Sequence, residues 1–196
     1  ASKYQLVKPV IADSDFQLID IDNLWHPMVS QSQQGKFIKN DIKMGDNGNI
    51  FLITGPNMAG KSTLMRSIAI AVIMTQMGSF IPASSASLSL VDQLFTRIGA
   101  NDKLSEGQST FMVEMIETAE ICNNATKDSL ILLDEVGRGT STFDGVSIAA
   151  AVTEYLATEI KARTLFATHY HELTVLAEKY PQIKNVSMEI SEINQK

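Results

Sequence analysis

Gly55-Pro56-Asn57-Met58-Ala59-Gly60-Lys61-Ser62 has the residue types and spacing of a loop that holds phosphate. In a G-x-x-x-x-G-K-[ST] run, the glycines open a backbone path that a Cβ would block. Main-chain N–H groups can then approach an anion closely at the start of a helix. Lys61 is placed to reach the β- and γ-phosphates, and the Ser62 hydroxyl to ligate Mg2+. Both flanks suit that chemistry. Ile50-Phe51-Leu52-Ile53-Thr54 is a short β-prone apolar run, and Thr63 to Met77 contains neither Pro nor Gly and reads as a helix. The pattern implies a bound nucleoside triphosphate.

A second group of candidates follows from strand ends. Leu130-Ile131-Leu132-Leu133 reads as a strand buried on both faces and leads directly into Asp134 and Glu135. In open α/β sheets the active site lies at the carboxyl ends of the strands, so these acids emerge where the phosphate loop emerges. Asp134 takes the Walker-B role, holding Mg2+ directly or through water. Glu135 can orient and polarise the water that attacks the γ-phosphate, which implies hydrolysis as well as binding. His169 follows the next buried run, Arg163 to Thr168. From that edge its imidazole can hydrogen-bond the γ-phosphate or the attacking water. His171 reads as a helix-start surface residue and His26, before Pro27, as structural. No His/Cys cluster has zinc-ligand spacing. Leu104 to Phe111 is a Ser/Gly-rich loop feeding a helix, a second end able to meet phosphate. One nucleotide cannot occupy two helix N-termini unless they face each other, so this loop suits the nucleotide of a second subunit; a solvated capping loop is the alternative.

Positioning these residues requires a mostly parallel α/β sheet covered on both sides. The pattern predicts strands at Phe16–Ile21, Phe37–Ile42, Ile50–Thr54, Leu94–Ile98, Leu130–Leu133, Arg163–Thr168 and Asn185–Glu189. It predicts helices at Thr63–Met77, Phe111–Asn123, from Ser141 to about Glu159, and near Glu172 to Tyr180. The Thr63–Met77 helix is apolar almost all round and is expected to be buried on both sides. The next one should bury a stripe of Phe111, Met115, Thr118, Ala119 and Cys122. Ser30 to Gly35, Ser84 to Ser87 and Gly99 to Gln108 read as loops, and Ser141 to Asp144 as a capping-box-like helix start.

Composition bounds the rest. Apolar residues make up 44% of the chain and charged residues 19%, an ordinary globular balance. The net charge of −6 is a poor footprint for wrapping nucleic acid, so any DNA contact is expected outside these residues. The longest apolar run is too short to span a bilayer and no secretory signal opens the chain, giving an expected cytoplasmic location without membrane attachment, nucleoid-associated if bacterial. Cys122 alone cannot build an internal disulfide framework. The chain reads as a single domain with leader strands over 1–45 and a core over 46–196, cut from a longer protein.

The runs Thr54 to Thr63, Ser109-Thr110-Phe111-Met112-Val113-Glu114-Met115, Asp134 to Thr142 and Ala167-Thr168-His169-Tyr170 together closely resemble the MutS family of DNA mismatch repair ATPases, bacterial type, from about residue 20 to 190. The resemblance implies an ABC-type P-loop ATPase that binds ATP or ADP with Mg2+ and works as a dimer with composite sites. It further implies that Ser109 is offered to the partner's γ-phosphate, that Asn57 lies near the phosphates, and that Phe37 packs on the adenine. Ala59 stands where many members carry Gly, and Trp25 where many carry Arg. Ser84-Ser85 lies where a γ-phosphate-sensing residue would be sought. Mismatched DNA would be gripped by domains absent from these residues, and a downstream repair protein is an expected partner. A family branch acting outside mismatch repair, an ABC transporter nucleotide-binding subunit and a purely regulatory nucleotide module are the alternatives. A transporter subunit would carry its Leu-Ser-Gly-Gly-Gln signature immediately before the Asp134 strand, whereas Leu104 to Gln108 lies well upstream.

Overall fold

The structure is a computed structural model that describes residues 6–12, 17–32, 37–45, 48–98 and 110–189. Its centre is a five-stranded, wholly parallel sheet in the order β6-β7-β8-β4-β9. These strands are β4 (Ile50–Thr54), β6 (Leu94–Arg97), β7 (Leu130–Asp134), β8 (Arg163–Ala167) and β9 (Ile183–Ser187). All of β4 and β8, and β7 up to Leu133, are buried, as largely apolar strands covered on both faces must be, and Thr54, Arg163 and Thr164 are buried with them. The edge strands β6 and β9 are more exposed and less uniformly apolar.

Alternate side chains feed two cores. Phe51, Ile53, Leu130, Leu132 and Leu165 face helix α2 (Lys61–Gln76) and a second sheet. Ile50, Leu52, Ile131, Leu133 and Phe166 face the helices α3 (Thr110–Asn124) and α4 (Thr142–Tyr155) on the opposite side. The second sheet has four strands in the order β1-β5-β2-β3: β1 (Val10–Ile11), β2 (Ile19–Leu24), β3 (Asn40–Met44) and β5 (Ser85–Leu88).

Several expectations shift. Ser85–Leu88 is a strand where a polar loop was expected, because Ala86 and Leu88 point into the core while Ser85 and Ser87 point away, and the run pairs with both β1 and β2. The region from Ser30 is also helical at first: α1 (Pro27–Ser32) starts on Pro27, whose missing N–H costs nothing at a first helical position. Helix α2 begins two residues earlier than expected and has an outer face at Arg66, Ile73 and Gln76. It ends in a Schellman turn, with Ser79 N–H bonded to Met74 O and Gly78 N–H to Thr75 O, and Gly78 at φ 75°. The buried stripe of α3 is Glu114, Thr118 and Ile121; Ala119 is exposed, and Phe111, Met115 and Cys122 are only partly covered. The segment expected as a helix from Glu172 is a 3-10 turn over His171–Val175 followed by the short helix α5 (Leu176–Lys179). Its buried residues, Leu173 and Leu176, are three apart, the repeat of a 3-10 turn. Strand β9 starts at Ile183, not Asn185, in register with Ile50. Phe16 and the Gly99 to Gln108 loop lie outside the described residues.

Helix α4 opens as expected, Ser141 Oγ accepting from Asp144 N–H at 3.3 Å and donating to its carboxylate at 2.7 Å. It runs on through a π-turn, Leu156–Ile160, closed by Lys161 at φ 60°.

At the amino edge of the sheet the first residue of β8, Arg163, is 1% exposed. Nη1 donates to Ser89 Oγ at 2.9 Å, and Nη2 to Leu90 O at 2.9 Å and Asp128 O at 2.6 Å. Burial pulls its pKa down, opposed by nearby Asp128 and Asp92. The guanidinium thus stitches two loop carbonyls and a hydroxyl to a central strand. Arg163→Ala strips those acceptors of a buried partner and is expected to cost about 2–4 kcal/mol. Urea unfolding measures this, and a loss below about 1 kcal/mol would show the guanidinium to be dispensable.

Candidate functional site

The parallel sheet brings the ends of β4, β7 and β8 to one edge, with β8 between the other two. From β4 the chain enters the 55–62 loop. Gly55 has φ 140°, and a Cβ there would stand 2.8 Å from Met188 O, so β9 closes one side of the loop against bare backbone. Met58 has φ 66° and is fully exposed, Pro56 and Asn57 are exposed, and Ala59 N–H bonds Pro56 O at 3.3 Å. Gly60, left-handed at φ 98°, stands at the N-cap of α2 and brings no side-chain cap to the first turn, where Lys61, Ser62 and Thr63 follow.

Lys61 is 6% exposed. Its Nζ donates to Gly55 O at 2.7 Å and Pro56 O at 3.0 Å, and no carboxylate pairs with it among the described residues. A buried ammonium held only by the carbonyls of its own loop is a cation without a counter-ion. Next to it, the Ser62 hydroxyl donates to the Asp134 carboxylate at 2.6 Å, joining the loop to the end of β7.

Beyond β7 the backbone turns sharply. Glu135 adopts φ 57°, an uncommon conformation for a side chain of this size, and Gly137 φ 92°. Glu135 Oε2 accepts from Arg138 Nη1 at 2.5 Å, and Oε1 accepts from His169 Nε2. With the carboxylate accepting, Nε2 carries the proton, so the tautomer of His169 is set by Glu135. Nε2 is therefore engaged with a carboxylate in this structure, not with a position beside the loop. Asp134 is also touched from behind, its carbonyl lying 3.5 Å from Arg97 Nη1.

Phe37 is partly buried just ahead of β3, in the four-stranded sheet. Ser109 lies outside the described residues, immediately before α3. Ser84 and Ser85 are exposed, with Ser85 Oγ donating to Asp22 on the neighbouring strand. His171 is exposed at the head of the 3-10 turn. His26 Nδ1 accepts from Val29 N–H at 3.4 Å at the start of α1, and burial together with the Arg66 charge lowers its pKa. No role was expected for Glu114, Arg97, Arg138 or Tyr170, although Glu114, Arg138 and Tyr170 stand in the runs that carry the family resemblance. A Glu on an otherwise covered helix face, one turn before Thr118, was the available signal for the first.

A family model described as MutS domain V matches residues 51–196. The chain is 57% identical over 199 aligned residues to the DNA mismatch repair protein MutS of Thermodesulfovibrio yellowstonii, covering 98% of this chain and 23% of that protein. It is 54% identical over 188 residues to MutS of Bacillus velezensis (95% and 22%) and 51% over 194 to MutS of Rhodopirellula baltica (98% and 22%). It thus spans less than a quarter of the length of these relatives, and none of them is a transporter subunit.

Gly55→Ala is expected to cost about 1–3 kcal/mol, from positive φ and from collision with the carbonyl of Met188, whose N–H bonds Thr54 O at the end of β4. Thermal unfolding checks this; an unchanged midpoint would mean that β9 does not close the loop. A chain matched to that domain along residues 51–196, with relatives more than half identical across nearly its whole length, belongs to the MutS family.

Proposed function

We propose that this chain is the ATP-binding and ATP-hydrolysing domain of a DNA mismatch repair protein, a P-loop unit of ABC type whose nucleotide state controls how the rest of the protein holds DNA. The observation that carries the reading is buried Lys61, held by two loop carbonyls with no carboxylate beside it, at the mouth of a helix whose first turn lacks a side-chain cap. An oxyanion supplies what that cation and those N–H groups lack. Triphosphate is the anion for which the 55–63 backbone, from Gly55 through Pro56, Asn57, Met58, Ala59 and Gly60 to Thr63, has the matching length and openness.

Mg2+ takes few protein ligands and completes its shell with water and phosphate oxygen. Ser62 hydroxyl and Asp134 carboxylate, already 2.6 Å apart, fit that sparse set and would hold it. When bound, the ion would neutralise charge on the phosphates. Lys61 would exchange the carbonyls of Gly55 and Pro56 for phosphate oxygens. Glu135 would accept a proton from the attacking water, and His169 Nε2–H fixes which carboxylate oxygen is turned aside and which is left for that task. Arg138 sits on that second oxygen and is 75% exposed, so it must move off for Glu135 to act. Phe37 would pack on adenine. Ser109, from a second copy of the chain, would meet the γ-phosphate and complete the site, giving a homodimer. Mismatched DNA and a downstream repair protein would be bound by other domains, in the cytoplasm.

Lys61→Ala is expected to weaken ATP binding at least about a hundredfold. Glu135→Ala should leave affinity within about threefold and slow hydrolysis by about two orders of magnitude or more. Calorimetric titration with ATP and phosphate release measure the two effects. Equal affinity in unsubstituted and Lys61→Ala protein would overturn the assignment of the loop. Specific activity that rises with protein concentration is the expected mark of a site completed in trans, and a flat rate would remove Ser109 from it.

A further inference from the structure

Glu114 is among the most deeply buried carboxylates of the described residues, with a side chain 4% exposed on the face of α3 that packs toward the sheet. Helix stability does not ask for it. An apolar residue would fill that stripe without the desolvation of a charge. What Glu114 does there is specific. Its Oε1 accepts the backbone N–H of Gly137 at 2.5 Å, and its Oε2 lies 3.6 Å from Arg97 Nη2. Arg97 in turn reaches Glu117 on the same helix, Nε to Oε2 at 3.5 Å, an ion-pair distance without hydrogen-bond geometry, which leaves that Nε otherwise unpartnered.

Gly137 is held from every other side as well. The Tyr170 hydroxyl donates to its carbonyl at 3.0 Å, and Gly145 of α4 packs so closely that a Cβ on Gly137 would stand 2.6 Å from the Gly145 carbonyl. One residue thus has its N–H on α3, its carbonyl on the segment after β8, and its Cα on α4. Gly137 is two residues from Glu135, and Tyr170 follows His169 directly. The left-handed turn at Glu135 and Gly137 is a conformation that surrounding contacts must hold in place. From α3 the Glu114 side chain holds the Gly137 N–H, while Phe111 packs against Gly139 two residues on.

We propose that Glu114 is a positioning residue: through the Gly137 peptide it ties the Glu135 carboxylate and its His169 partner to helix α3, so that a shift of α3 is carried to the carboxylate. The catalytic part of this proposal rests on the ATPase reading above, in which α3 follows directly on the residue offered to a second subunit. An ammonium at position 114 could accept from neither Gly137 nor Arg97, whereas Gln keeps an acceptor for Gly137 and gives up the charged acceptor facing Arg97 for an amide NH2.

The test compares Glu114→Ala and Glu114→Gln in the full-length protein. The readouts are ATP turnover, ADP affinity by titration, and hydrogen exchange of the peptide spanning residues 135–140 followed by mass spectrometry. Glu114→Ala is expected to lower kcat about tenfold or more with ADP affinity within about threefold, and to speed exchange in 135–140. Glu114→Gln is expected to recover turnover to within about threefold of the unsubstituted protein and to restore slow exchange. Turnover or exchange unaltered by Glu114→Ala overturns the proposal. So does a loss shared equally by affinity and turnover that Gln does not recover, since that marks a general structural role. Failure of the unsubstituted protein to bind ADP or cleave ATP sinks the ATPase reading instead; the exchange comparison still decides whether Glu114 holds the turn.

Discussion

The hydrogen bond from Ser62 to Asp134 joins residues 72 apart, and it is possible only because neighbouring strands run parallel. In a parallel sheet every strand delivers its carboxyl end to the same edge, so the loop after β4, the turn after β7 and the segment after β8 come together there. An antiparallel neighbour would send its loop to the far side. Lys61, Ser62, Asp134, Glu135 and His169 share an edge because of that direction, not because they are close in sequence.

The two faces of the sheet make this edge rigid. Completely buried β4 and β8, gripped by α2 on one side and by α3 and α4 on the other, cannot slide by one residue without turning their core side chains the wrong way. On that base the edge carries the unfavourable backbone of the region: positive φ at Gly55, Met58, Gly60, Glu135 and Gly137. Such conformations persist where the surroundings over-determine them. Here the surroundings are Met188 against Gly55, and Glu114, Gly145 and Tyr170 against Gly137. The opposite edge has an anchor of another kind, the Arg163 guanidinium gathering loop oxygens.

Much of this was legible in the chain itself. The short, β-prone apolar runs at Ile50–Thr54 and Leu130–Leu133 read as strands covered on both faces, and their ends name Asp134 and the 55–62 loop. Less legible were segments where side-chain type and local conformation pull apart. Ser85–Leu88 looks polar, yet only its alternate residues meet the core. Leu173 and Leu176, three apart, close a 3-10 turn where a longer helix was expected.

The sequence by itself determined the central strands, the parallel sheet and which residues are candidates for the site, because hydrophobic period and glycine spacing are local properties of the chain. Tertiary structure alone decided what each group touches. Glu114 stands one turn before Thr118 in the sequence of α3, but only the packing of that helix buries it against Gly137 and leaves Glu117 half open. Arg138 on the Glu135 carboxylate and Lys61 on the carbonyls of its own loop are contacts within a few residues, whereas the pairing of His169 with Glu135 likewise depends on distances between segments far apart in sequence. Those distances are set by the packing of whole elements, which no short stretch of sequence encodes.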